Sequence, residues 1–204
     1  MQAWNEVYES KFEHTNMKNF DIFKILINTK NLILKPISNN NAKDLFESYD
    51  IEISKYMYYS PCLSLLDAEK LVNRSVEWMR KSDRIVFSIY EKNTMEFIWC
   101  FWVFNFDTTT PELWFIWVKK SKQNMWFLSE ASLWVIKWLS ENIDFRYVVC
   151  FIDENNKIWL EIIKDWWAIK VWKLPPMLAQ DWKKSLIAIE FRIYREHLIN
   201  LLGI

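Results

Sequence analysis

Short apolar blocks separated by polar turns run along this chain, and their spacing changes between two-residue and three-to-four-residue periods. Residues 31–37, with Leu32, Ile33 and Leu34 ahead of Pro36, predict a strand. Ser38 and Asn39 to Asn41 then supply caps for a helix through Asp44, Leu45, Phe46 and Tyr49. Leu71, Val72, Ser75, Val76 and Met79 share one helical face, predicting a second helix capped by Asp67 and ending near Lys81. Residues 84–91 and 96–107 flank the turn Lys92-Asn93-Thr94, so they pair as an antiparallel hairpin. Residues 112–119 make another strand. From Ser129, the positions Leu133, Val135, Ile136 and Leu139 give a helix one buried face as far as Asn142. Residues 147–152 read as a strand, 155–164 as a short helix, and 169–174 and 186–194 as two final strands. The order β, α, α, β, β, β, α, β, α, β, β describes an α/β protein.

At 204 residues the chain is most simply one domain. Residues 1–28 read as an extension, 29–198 as the domain and 199–204 as a tail. Twenty-six basic and twenty-six acidic residues cancel, and no basic block offers a footprint for nucleic acid. Cys62, Cys100 and Cys150 are odd in number and widely spaced, which suits a reducing, cytoplasmic setting better than a disulfide framework. The apolar run at 97–106 is too short to span a bilayer as a helix, and the polar N-terminus lacks a signal-peptide core, so no membrane partner is expected.

Composition changes this picture at one point: the chain has fourteen tryptophans and a single glycine, Gly203. Average usage of about 7% would place roughly fourteen glycines here. The surplus sits where folds ask for glycine. Trp99 and Trp102 lie in the apolar strand, Trp126 follows a polar loop and opens a helix, and Trp166-Trp167-Ala168 follows a helix without another stop signal. Bulge, anion loop and C-cap are all glycine positions. The expectation is a gene in which UGA encodes glycine, written out with tryptophan in its place.

With those elements placed, residues 30–195 resemble the GCN5-related N-acetyltransferase (GNAT) family, and within it the subgroup that acetylates ribosomal-protein N-termini and related amines. Leu32-Ile33-Leu34-Lys35-Pro36 is similar to the family's first strand, Glu96 through Trp102 to its E-x-I-G-x-x-G strand, and Glu112-Leu113-Trp114 to E-I-G. Gln123-Asn124-Met125-Trp126-Phe127-Leu128 stands where the family has Q/R-x-x-G-x-G/A, and Ser129-Glu130-Ala131 where it has T-E-A. Asp153-Glu154-Asn155-Asn156 is similar to D-x-x-N, and Lys164-Asp165-Trp166-Trp167-Ala168 to the K-L-G-F helix end. The departures fall mainly at glycine positions: Trp99, Trp102, Trp114, Trp126 and Trp167, with Trp172 and Trp182 as additions. Trp117 stands where the family accepts an aromatic. Leu128 replaces a small residue, and Trp159 a serine or glycine.

The resemblance implies a single-domain acyltransferase fold whose mixed sheet is splayed at the cofactor site, acetyl-CoA as co-substrate, and direct transfer to a primary amine. It implies Glu112 as general base and Trp117, Val118, Gln123, Asn124, Met125, Trp126, Phe127, Leu128, Ser129 and Asn156 as cofactor contacts. Asn156 would meet the pantetheine arm or backbone rather than move a proton. Many relatives use a tyrosine or serine on the helix after the fifth strand to protonate the leaving thiolate; here that helix offers Trp159, Ile162 and Ile163, so water or a residue such as Ser129 would serve. Acceptor loops would lie at 56–64, with Tyr58, Tyr59 and Pro61, and at 175–184. The acceptor is a small-molecule amine or a protein N-terminus, and the chain a monomer or homodimer. Cys100 and Cys150 lie in apolar strands, where thiols pack and stay inert. His14 and His197 have no second ligand at metal spacing, so no metal is expected. Literal tryptophans would instead imply a Trp-rich binding protein or a catalytically dead relative.

Overall fold

The computed structural model describes residues 20–49, 51, 53–58, 60–81, 84–118, 125–179 and 185–202. Its strands are β1 (Ile27–Asn28), β2 (Leu32–Pro36), β3 (Arg84–Glu91), β4 (Phe97–Phe104), β5 (Glu112–Val118), β6 (Tyr147–Asp153), β7 (Ile169–Lys173), β8 (Met177–Leu178), β9 (Ser185–Leu186) and β10 (Ala188–Tyr194). The helices are α1 (Ala42–Ser48), α2 (Leu65–Arg80), α3 (Met125–Asn142), α4 (Lys157–Asp165) and α5 (Arg195–Leu202). Eight strands form one sheet in the order β1-β2-β3-β4-β5-β6-β10-β7, and β8 and β9 make a separate hairpin. Neighbours in the sheet run antiparallel except β5 and β6.

Helices cover both faces of the sheet centre, which is why β3 and β4 are buried along nearly their whole length instead of alternating. On one face α2 brings Trp78 to 5.9 Å from Trp102, ring centre to ring centre, and Met79 Sδ accepts from the Val86 N–H at 3.4 Å. On the other, Trp138 of α3 meets Phe87 at 6.4 Å and Phe20 at 5.0 Å. The corner from β2 into α1 is fixed by a polar knot. Asn41 Oδ1 accepts from the Ser38 N–H at 3.0 Å and from the Ser88 hydroxyl at 3.1 Å, while its amide donates to the Tyr90 hydroxyl. Among the described residues no helix is long and apolar enough to cross a membrane.

Several boundaries move from their predicted places for local reasons. Ser64, not Asp67, caps α2: its Oγ accepts from the Asp67 N–H at 3.2 Å and donates to the Asp67 carboxylate at 2.8 Å. The strand predicted to reach residue 107 stops at Phe104, because Asn105 turns the chain with φ 51°. α3 begins a turn earlier than Ser129, and α5 runs through the expected boundary at residue 198. Ile22, Ile25 and Ile27, inside the expected extension, are buried in the core. Leu186 pairs with Met177 in the β8–β9 hairpin rather than beginning the last strand of the sheet.

The tryptophans divide by environment. Trp99 and Trp102 are 1% exposed, in regular register with Ile89 and Val86; the β3–β4 irregularity falls at Ile98, beside Trp99 rather than on it. Trp99 Nε1 is buried with no hydrogen-bond partner among the described residues, a cost of about 1–3 kcal/mol. Trp167 follows the α4 C-cap Trp166, donates its N–H to the Lys164 carbonyl at 3.1 Å, and has φ 54°. This is the left-handed closing residue of a helix, which L-residues occupy at a cost of roughly 1–2 kcal/mol. Trp167→Gly should therefore raise stability by about 1 kcal/mol and the midpoint of thermal unfolding by roughly 2–4 °C. Unfolding monitored by circular dichroism checks this, and a lowered midpoint contradicts it.

Candidate active site

The parallel pair of β5 and β6 is short. Its ladder holds only Glu112 opposite Val149 and Leu113 opposite Cys150, after which the strands part. The cause lies on the other edge of β5. There Cys100 pairs with Trp117 and Phe101 with Phe115, so Ile116 is an extra residue and β5 bends. From Trp114 onward the edge of β5 facing β6 no longer spends its backbone N–H and C=O groups on that ladder, and such groups need partners. Strand-edge groups of this kind can pair with an extended amide-bearing chain.

Residues 119–124, and with them Gln123 and Asn124, lie outside the described residues. Trp117 and Val118 end β5, opposite Cys100 and Trp99, and Met125 opens α3. The first backbone N–H groups of α3 have no carbonyl four residues back within the helix and stand at its positive end, a seat suited to phosphate. Leu128 is buried, Phe127 packs against the core, and Trp126 is 80% exposed. Trp126 lines a groove of about 550 Å³ along the helix flank with Asn31, Ser129, Glu130, Leu133, Trp134 and Lys137. Glu130 fastens this helix to the β1–β2 turn. Its carboxylate accepts from the Thr29 hydroxyl at 2.6 Å, the Asn31 N–H at 2.8 Å and the Asn31 amide at 2.8 Å. Burial acts against its charge, but these donors outweigh it and hold the carboxyl below its ordinary value.

Glu112 sits where β5 and β6 begin to part. It is partly buried, opposite Phe104 on β4, and its Oε1 accepts from the Trp114 indole two residues on. Burial pushes its carboxyl up to about 7; the indole donor and Arg84 work against this, and Glu190 adds to it. A carboxyl poised there can take a proton from an ammonium near neutral pH.

No protein-family model matches the sequence, and no curated protein matches it significantly. Solved structures do match. A GCN5-related N-acetyltransferase from Brucella melitensis superposes with a TM-score of 0.77 at 9% identity, covering 95% of this chain and 87% of its own. A candidate ribosomal-protein-serine acetyltransferase from Vibrio cholerae does so at 0.70 and 18% identity, over 85% and 99%. Spermidine N-acetyltransferase from Vibrio cholerae, solved with CoA and spermine, does so at 0.71 and 11% identity, over 84% and 100%. The fold is the GNAT fold.

Within this GNAT fold, Asn156 caps α4, its Oδ1 accepting from the Trp159 N–H at 3.4 Å. Asp153 organises the same corner: one oxygen accepts from the Asn155 N–H and the other from the Ile187 N–H, both at 2.9 Å. Cys100 and Cys150 are buried and their thiols are pushed up, chiefly by desolvation. Among the described residues no group of three or more His, Cys, Asp or Glu could hold a metal ion. Glu190 and Arg192 border the Glu112 face and were missed from sequence, because their strand read only as a strand; Trp172, named there only as a departure from glycine, donates to Glu190. The alternation of Glu190 and Arg192 within residues 188–194 was the available signal.

Between the ordinary carboxyl value and about 7, folded Glu112 keeps a proton that the unfolded chain has released. Stability from this group is therefore full at low pH and falls as pH rises through that window. Glu112→Gln should stabilise the protein by on the order of 2 kcal/mol at pH 8 relative to pH 5. Urea unfolding at the two pH values checks this, and an equal effect at both contradicts it.

Proposed function

We propose that this protein is an acetyl-CoA-dependent N-acetyltransferase acting on a primary amine, and that its competent form carries glycine at positions now written as tryptophan. The observation that carries the reading is the parted β5–β6 pair with Glu112 at its mouth, followed in the chain by the helix that begins at Met125. The fold similarity supports it at low sequence identity. Acetyl-CoA, when bound, supplies an activated acetyl thioester. The chain contributes the rest. Freed backbone groups of β5 would hold the pantetheine amides, and the first turn of α3 (Met125, Trp126, Phe127, Leu128, Ser129) with Gln123 and Asn124 would hold the pyrophosphate. Trp117 and Val118 would flank the arm and Asn156 would close its far side. Glu112 would take the proton of the amine, directly or through water, so that the free amine can attack.

The acceptor is an amine, on a small molecule or a protein N-terminus. The neighbours acting on ribosomal-protein serine and on spermidine support both kinds. A cytoplasmic monomer or homodimer remains the expected form.

Three features support glycine at the tryptophan positions. Trp167 has a left-handed backbone, Trp99 buries an unpartnered indole N–H, and Trp126 puts its indole in solvent at the phosphate-binding turn. A stacking or sugar-binding protein would gather its exposed aromatics on one face. Instead, the exposed tryptophans among the described residues occupy the α3 flank (Trp126, Trp134), a helix end (Trp167) and β7 (Trp172). Trp126→Gly should bring a gain of about tenfold or more in CoA affinity by titration calorimetry. No gain would remove this turn from the cofactor site.

A further inference from the structure

The sheet face that carries the partly buried Glu112 carries a second carboxylate, and this one is buried. Arg192 on β10 stands opposite Val149, which stands opposite Glu112, and Glu190 lies two residues from Arg192 on the same face. Glu190 is 5% exposed. One of its oxygens accepts from Arg192 Nε at 2.7 Å, and the other accepts from the indole of Trp172, its partner on β7. The arrangement repeats that at Glu112, whose oxygen accepts from the Trp114 indole. Each carboxylate thus ends on an indole N–H, and both indoles occupy positions where the sequence departs toward tryptophan.

The surroundings of the two carboxylates differ. Arg192 neutralises Glu190 directly, and the pairing keeps its guanidinium charged despite burial. Near Glu112 the cation is Arg84, which spreads over the rings of Trp78 at 4.3 Å and Phe104 at 5.1 Å. Glu190, held in an ion pair, suits a standing positive charge, while Glu112, whose neighbouring cation lies over aromatic rings, suits a group that gives up its proton. An alkylammonium presents N–H donors of the kind the indole presents, and with its charge it binds a carboxylate more strongly.

We propose that Glu190 is an acceptor-binding carboxylate for an amine with a second cationic nitrogen: one ammonium rests on the Glu190 oxygen now taken by Trp172, and the other nitrogen lies at Glu112. Trp114 and Trp172 cap the two positions in the chain as written. That this amine is the acetyl acceptor rests on the acetyltransferase reading; that it binds here does not.

The test uses the full chain carrying Trp114→Gly and Trp172→Gly, titrated calorimetrically with 1,4-diaminobutane, with butylamine and butanol as comparisons. Diaminobutane should bind, more tightly than butylamine, and butanol should not. Adding Glu190→Gln should weaken diaminobutane by about tenfold or more, and Glu190→Asp should restore part of the loss. If the double variant lacks a cooperative thermal transition, Trp172→Phe is used instead, since it removes the donor and keeps the ring. Absence of binding in a folded variant, or binding indifferent to Glu190→Gln, overturns the proposal. CoA titration of the same variant separates the two readings: diamine binding without CoA binding keeps this site and sinks the acetyltransferase, and the reverse keeps the acetyltransferase and sinks this site.

Discussion

The early parting of β5 and β6 is the constraint on which the rest of the site depends. Antiparallel strands elsewhere in the sheet satisfy each other along most of their length, but this parallel pair exchanges register at two residues and then opens. The bulge at Ile116 bends β5 away from its neighbour, so the opening is built into the β4–β5 ladder rather than left to a loop. Glu112 sits on the first of the two closed rungs, one residue before the last, and α3 is the next described element after β5. Glu130, tied to Thr29 and Asn31, then holds that helix against the opposite end of the sheet.

Tryptophan bears on this frame differently at each position. In the core, Trp102 stacks on Phe104 at 5.5 Å, and Phe104 meets Trp114 at 5.4 Å, so the indoles form one aromatic layer over the face that Glu112 shares. At Trp114 and Trp172 the same side chains do something else: they supply N–H donors to buried carboxylates that would otherwise need another partner. At Trp167 the strain is in the backbone, with φ 54°, while its indole meets the His197 ring edge-on at 6.3 Å. An indole that fills the core or donates to a carboxylate is out of place at the helix end, where the left-handed backbone favours glycine.

Much of the fold was legible from periodicity alone. The β3–β4 hairpin follows from the turn at Lys92-Asn93-Thr94 between two apolar runs, and α2 from the spacing of Leu71, Val72, Ser75 and Met79. Capping was harder to read, because Ser64 and Asp67 are both good caps and only the three-dimensional hydrogen bonds distinguish them. The short strands β1, β8 and β9 escaped because two residues carry no period. At the site, Glu112 could be proposed through its motif, whereas Glu190 could not: its place beside Glu112 comes from a cross-sheet register that joins β5, β6, β10 and β7 from distant parts of the chain. The burial that lifts Glu112 was equally invisible, since it comes from neighbours on other strands.

The most direct measurement is the codon at each of the fourteen tryptophan positions in the gene. The account predicts UGA at Trp99, Trp102, Trp114, Trp126 and Trp167, with UGG at some of the others. UGG at all fourteen would contradict it: the blocked turn and the capped carboxylates would then belong to the native protein, and an acetyltransferase would be the wrong conclusion.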